Sequence, residues 1–81
     1  MKTLALLCIQ RTAKGVVIKV KQLYSSIYSE FPDECRRLGF TASNPIEEKW
    51  KNEIRYGIWE ARKQRLIKHV GARKSGTWER V

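Results

Sequence analysis

The chain has 81 residues, with 17 Lys or Arg against 8 Asp or Glu, a formal charge of +9. Its apolar residues make up 42% and include three Trp, three Tyr and two Phe, enough for one core and too few for two; this excludes intrinsic disorder and predicts one domain over residues 1–81. A core of that size leaves little room for a deep catalytic cleft, so a basic, non-enzymatic chain is expected.

Residues 3–13 read as a first helix, with Leu4, Leu7, Cys8 and Ile9 near one face and Gly15 as its stop. The apolar run at the start resembles a signal peptide but breaks at Gln10-Arg11 without a small-x-small cleavage site. No stretch approaches the roughly 18 apolar residues of a membrane span. Val16-Val17-Ile18 is a brief extended segment. After it Val20, Leu23, Tyr24, Ile27, Tyr28 and Phe31 recur at helical spacing, up to the break that Pro32 imposes. Residues 32–43 are mixed and read as a loop with one helical turn before Gly39.

Asn44-Pro45-Ile46-Glu47 carries strong helix-start chemistry: an Asn cap, Pro at the first position and an acid three residues after the cap. The long helix it opens, residues 45–65, has an apolar seam of Ile46, Trp50, Ile54, Ile58 and Ala61. Residues 66–70 and 77–81 are β-prone and flank the basic, turn-rich segment 71–76, which predicts a hairpin. The expected fold is therefore α+β, mainly α: a winged helix-turn-helix with three helices, a short strand and a C-terminal hairpin wing.

Cys8 and Cys35 are too few and too far apart for a disulfide framework, which points to free thiols and a cytoplasmic protein. With His69 as the lone histidine and no CxxC or HxxxH spacing, neither a metal site nor a cofactor is expected. His69 has no Ser, Cys or carboxylate at catalytic spacing, so it reads as a strand residue at the solvent edge.

The charge is uneven. Residues 1–48 hold 7 basic and 5 acidic side chains, net +2, whereas residues 49–81 hold 10 and 3, net +7. A one-sign field confined to one segment attracts a polyanion, of which nucleic acid is the commonest. In the long helix Asn52, Arg55, Tyr56, Trp59, Arg62 and Lys63 share one face away from the seam. Asn offers a two-sided amide to adenine, and Arg a planar fork to guanine or phosphate. If the N-terminal part enters the major groove, Lys49, Asn52 and Tyr56 face bases while Arg62 and Lys63 hold phosphates. Arg73, Lys74 and Ser75 on the hairpin tip suit a phosphate or the minor groove. The plainer alternatives are a solvated turn at the tip and an ordinary charged helix surface with pairs such as Glu60 with Lys63. Trp50 and Trp78 are expected in the core. Trp59 is expected to cap the core edge, with outward stacking as the alternative.

Trp50-Lys51-Asn52-Glu53-Ile54-Arg55-Tyr56-Gly57, then Leu66-Ile67, then Ser75-Gly76-Thr77-Trp78, resembles the winged-helix module at the N-terminus of Mrr-type restriction endonucleases. The family pattern is W-x-N-x-I-R-W-A, a leucine/isoleucine pair opening the wing, and R-G-x-W. Tyr56, Gly57 and Ser75 depart from it. The resemblance covers roughly the last 35 residues and implies recognition of double-stranded DNA, commonly modified by methylation, on behalf of a separate nuclease domain. No segment with paired acids and a lysine follows, so the expectation is either a reader domain of a longer protein or a small regulator acting alone. The rival from another class is a winged helix for protein interaction or homodimerisation through Tyr24 and Tyr28. An RNA-binding module shares the charge signature.

Overall fold

The computed structural model describes residues 1–41, 47–71 and 76–81. In chain order these form α1 (Lys2–Arg11), β1 (Val17–Lys19), α2 (Val20–Glu30), α3 (Pro32–Leu38), α4 (Glu48–Lys63), β2 (Ile67–His69) and β3 (Thr77–Arg80). The three strands make one antiparallel sheet in the order β1-β3-β2. The fold is thus small, α+β and mostly helical, with the hairpin partners β2 and β3 paired as expected. The capping sequence at Asn44-Pro45 and the seam residue Ile46 lie outside the described residues.

One element departs from expectation. Residues 32–38 are a seven-residue helix and not a loop with a single turn, so the described residues contain four helices where three were expected. Pro32 fills the first turn, where its missing N–H costs nothing, and Asp33 and Glu34 precede Arg36 and Arg37 in the order the helix dipole favours. Gly39 ends the helix at φ 78°: its N–H donates to Arg36 O at 3.2 Å, and the Phe40 N–H donates to Cys35 O at 2.8 Å, a Schellman closure. So short a helix is too weak on its own to be read from sequence; it forms because it buries Cys35 and delivers Phe40 into the core. There Phe40 meets Trp50 edge-on at 5.8 Å and 82°.

The long helix packs along α1. Its buried residues are Trp50, Ile54, Gly57, Ile58 and Ala61, the expected seam with Gly57 added. At the crossing, a Cβ on Gly57 would lie 2.8 Å from the Ala5 Cβ and 2.8 Å from the Lys2 carbonyl oxygen. Only glycine permits so close an approach, and Ala5 answers it from the other side, fully buried. In α1 itself Ala5, Cys8 and Ile9 are the buried positions, and Leu4 and Leu7 are partly covered.

The sheet leans on this pair through Arg80. Its Nε donates to the Ile9 carbonyl at 3.2 Å, which also accepts the Thr12 N–H at 3.1 Å at the end of α1, and its Nη1 donates to the main-chain oxygens of Leu66 at 3.3 Å and Val81 at 2.7 Å. Ile18, Trp78 and His69 form one cross-strand row, in which Ile18 is buried, His69 is exposed, and Trp78, expected in the core, is half-buried at its edge because it opens on the groove beside α4.

Gly57→Ala adds helix propensity worth about 1 kcal/mol but drives a methyl into backbone. The variant is expected to be less stable than the parent by about 1–2 kcal/mol in urea unfolding, as overpacking usually costs. A gain in stability would mean that the helices separate freely.

Candidate nucleic-acid interface

α4 turns three different sides to its surroundings. One is the buried seam. A second carries Lys51, Arg55, Ile58 and Arg62, spaced 4, 3 and 4, and lines an open groove of about 730 Å³. The N-terminal part of α2 contributes Val20 and Tyr24 to this groove, and the hairpin contributes His69, Gly76 and Trp78. The third, with Asn52, Tyr56, Trp59 and Lys63, again spaced 4, 3 and 4, is directed away from the core.

The expected DNA-facing residues are therefore divided. Arg55 and Arg62 stand in the groove, while Asn52, Tyr56, Trp59 and Lys63 stand on the outward side. Trp59 is corrected from a cap on the core edge to an exposed ring: 54% of its surface is accessible, and Lys63 Nζ rests 4.6 Å from the ring centroid. Its neighbour Ile58 holds the inward position, as expected, and Trp59, one residue further round the helix, falls on the outward side with Asn52, Tyr56 and Lys63. Tyr56 is 61% accessible. Lys49, exposed in the first turn of α4 and two turns before Tyr56, lies 3.7 Å from Glu47 and over the Trp50 ring at 4.7 Å. Arg73, Lys74 and Ser75 lie outside the described residues.

Of the groove residues only Arg55 and Arg62 were expected at the site; its other polar and aromatic side chains, Lys51, Tyr24, His69 and Trp78, were not. For Lys51 the signal was available, since it stands one turn before Arg55 on the same side of the helix. For the others it was not, because only tertiary packing brings α2 and the hairpin beside α4.

Several cations outside the groove are ion-paired, although Lys2, Lys14, Lys19, Lys21 and Arg65, like the groove cations, have no carboxylate partner among the described residues. Arg36 pairs with Asp33 at 3.7 Å and Arg37 with Glu34 at 3.7 Å, both within α3. Arg11 pairs with Glu30 at 3.6 Å, Lys63 with Glu60 at 3.9 Å and Lys68 with Glu79 at 3.5 Å. Among the described residues Lys51, Arg55 and Arg62 have no carboxylate partner. Arg62 instead lies over the Trp78 ring at 5.1 Å, and the His69 ring meets the same indole at 4.9 Å and 82°. Burial pushes the Tyr24 phenol above its ordinary range, against the opposing pull of the Arg55 guanidinium.

Neither cysteine belongs to this site. Both are free and buried, and no group of three potential metal ligands occurs among the described residues. Cys8 is raised to about 12, by burial first and then by Glu30, whose carboxylate accepts its thiol at 3.6 Å; it is a packed thiol and not a nucleophile. No described helix is long and apolar enough to cross a membrane. Searches against protein-family models, curated proteins and solved structures give no match to the chain.

The two kinds of arginine should separate in a thermal or denaturant melt. Arg80→Met removes charged donors from three main-chain oxygens and is expected to cost about 1.5–3 kcal/mol, whereas Arg62→Met, on an exposed side chain, should change stability by less than about 0.5 kcal/mol. The Cys8 thiol adds a pH dependence. The unfolded chain releases this proton near 9.0 and the folded chain holds it to about 12, so the contribution is complete below pH 9 and is lost as pH rises toward 12. Denaturant midpoints recorded over that window should fall less steeply in Cys8→Ala.

Proposed function

We propose that the chain is a winged-helix module that binds double-stranded DNA, with α4 as recognition helix and the β2–β3 hairpin as wing. The observation that carries this is the line of Lys51, Arg55 and Arg62, three cations on one side of α4 without carboxylate partners among the described residues, facing an open groove beside the hairpin. Like charges held together repel, and a polyanion relieves that repulsion while releasing its own counterions. The element order and the β1-β3-β2 sheet, with a hairpin directly after the longest helix, support the winged-helix assignment.

In this proposal the outward side of α4 meets base edges in the major groove. Asn52 supplies the amide for adenine, and Tyr56 and Trp59 supply apolar contact for a thymine methyl or a methylated base. The groove cations, with Arg73 and Lys74 of the wing, take phosphates, which fix register without reading sequence. The chain itself performs no catalysis; a nuclease domain is the partner that the Mrr-type resemblance implies.

Anisotropy titrations against a random duplex pool and its methylated counterpart, each at several salt concentrations, test this. With about five phosphates neutralised, log affinity should fall against log salt with a slope of about −4 to −5. Arg55→Ala combined with Arg62→Ala should weaken binding on all sequences and flatten the slope by about 2, whereas Asn52→Ala should change sequence preference. Binding that is absent or indifferent to salt overturns the proposal. A dimer formed without DNA and lost in Tyr28→Ala would favour the protein-interaction alternative.

A further inference from the structure

The groove beside α4 has a composition that a track for phosphates alone does not need. Donors suffice for a phosphate, and Lys51, Arg55 and Arg62 supply them from one wall. The facing surfaces are apolar and aromatic, from Val20, Tyr24 and Trp78, and Ile58 of α4 adds to the floor. At about 730 Å³ the open groove has room for a single nucleotide lying along it. A planar ring attached to a phosphate uses both halves of such a lining.

Resting on the DNA-binding proposal, we infer that this groove takes one unpaired nucleotide of the bound strand, its base against Trp78 and Tyr24 and its phosphate on Arg55 and Arg62. Trp78 is fixed for that role: it lies on the central strand, in register with Ile18 on one side and His69 on the other. The Arg62 guanidinium rests over its ring at 5.1 Å. That contact is weaker than a bidentate arginine–phosphate pair, so an arriving phosphate draws Arg62 off the indole and leaves the ring face to the base. Gly76 closes one end. At φ 65° its carbonyl accepts the Val20 N–H at 3.0 Å, and a Cβ there would meet Val20 Cγ1 at 3.1 Å, so glycine lets the hairpin draw close to α2. The nucleotide that enters at least cost is one the duplex already leaves unpaired, as in a bulge or mismatch.

The test uses a duplex with a single bulged 5-iodouridine and the fully paired duplex of the same sequence. The bulged duplex should bind about tenfold tighter, the advantage expected of one base–aromatic stack, and irradiation should cross-link the iodouridine to Trp78 or Tyr24. Trp78→Leu and Arg62→Gln should each bring the affinity ratio near one; Arg62→Gln alters an exposed side chain and keeps the comparison open if Trp78→Leu does not fold. Equal affinity for the two duplexes, a cross-link to Tyr56 or Trp59, or no cross-link at all overturns the inference while leaving salt-dependent duplex binding in place. If neither duplex binds in a salt-dependent way, the DNA proposal fails and this inference fails with it.

Discussion

The contact between Gly57 and Ala5 governs the rest of the molecule. Two helices approach so closely there that a single methyl on Gly57 would sit 2.8 Å from both the Ala5 Cβ and the Lys2 carbonyl oxygen. This crossing turns α4 about its own axis and so decides which residues become seam, groove wall and outward side. Rotating the helix by one residue would bury Arg55 or Glu53 in place of Ile54, at the cost of an unpaired buried charge. Glycine in a helix interior weakens that helix, and the close packing it permits is what offsets the loss.

Three devices then place the neighbours of α4. Phe40, brought inward by the Gly39 turn, packs edge-on against Trp50 near the start of the helix. Arg80 ties the last strand to the end of α1. The Val20 N–H to Gly76 carbonyl bond ties the hairpin to the start of α2. Together they bring α2, α4 and the hairpin around one groove. The charge pattern is the complement of this scaffold. Acidic side chains pair with Arg36 and Arg37 of α3, with Arg11 at the end of α1 and with Lys68 on the outer sheet face, whereas Lys51, Arg55 and Arg62 line the groove without such partners among the described residues.

The elements with strong periodicity were legible from the sequence, because their burial pattern repeats along the chain itself. The spacing of Leu23 and Ile27 marks α2 and the seam from Trp50 to Ala61 marks α4, whereas β3 was legible only from its residue types, since all four of its residues are half-buried. The helix over residues 32–38 was not legible, since seven residues with one buried position carry no period; its stability comes from Cys35 and Phe40 meeting partners distant in sequence. Trp59 was misjudged for a related reason. Its place beside the seam residue Ile58 left its ring free to fold over the core edge or to turn outward, and which of these holds depends on what packs against that edge.

By itself the sequence determined the class of the fold, the excess of positive charge in the second part of the chain, and a long helix with cations on its polar side. These follow from local propensity and composition, which need no knowledge of what lies opposite. Tertiary structure alone decided that Arg55 and Arg62 part company with Asn52, Tyr56, Trp59 and Lys63, and that Tyr24, His69 and Trp78 join Lys51 in one groove. The physical reason is that helical spacing places residues on a side of a cylinder, whereas what stands across from that side is set by packing between segments far apart in the chain.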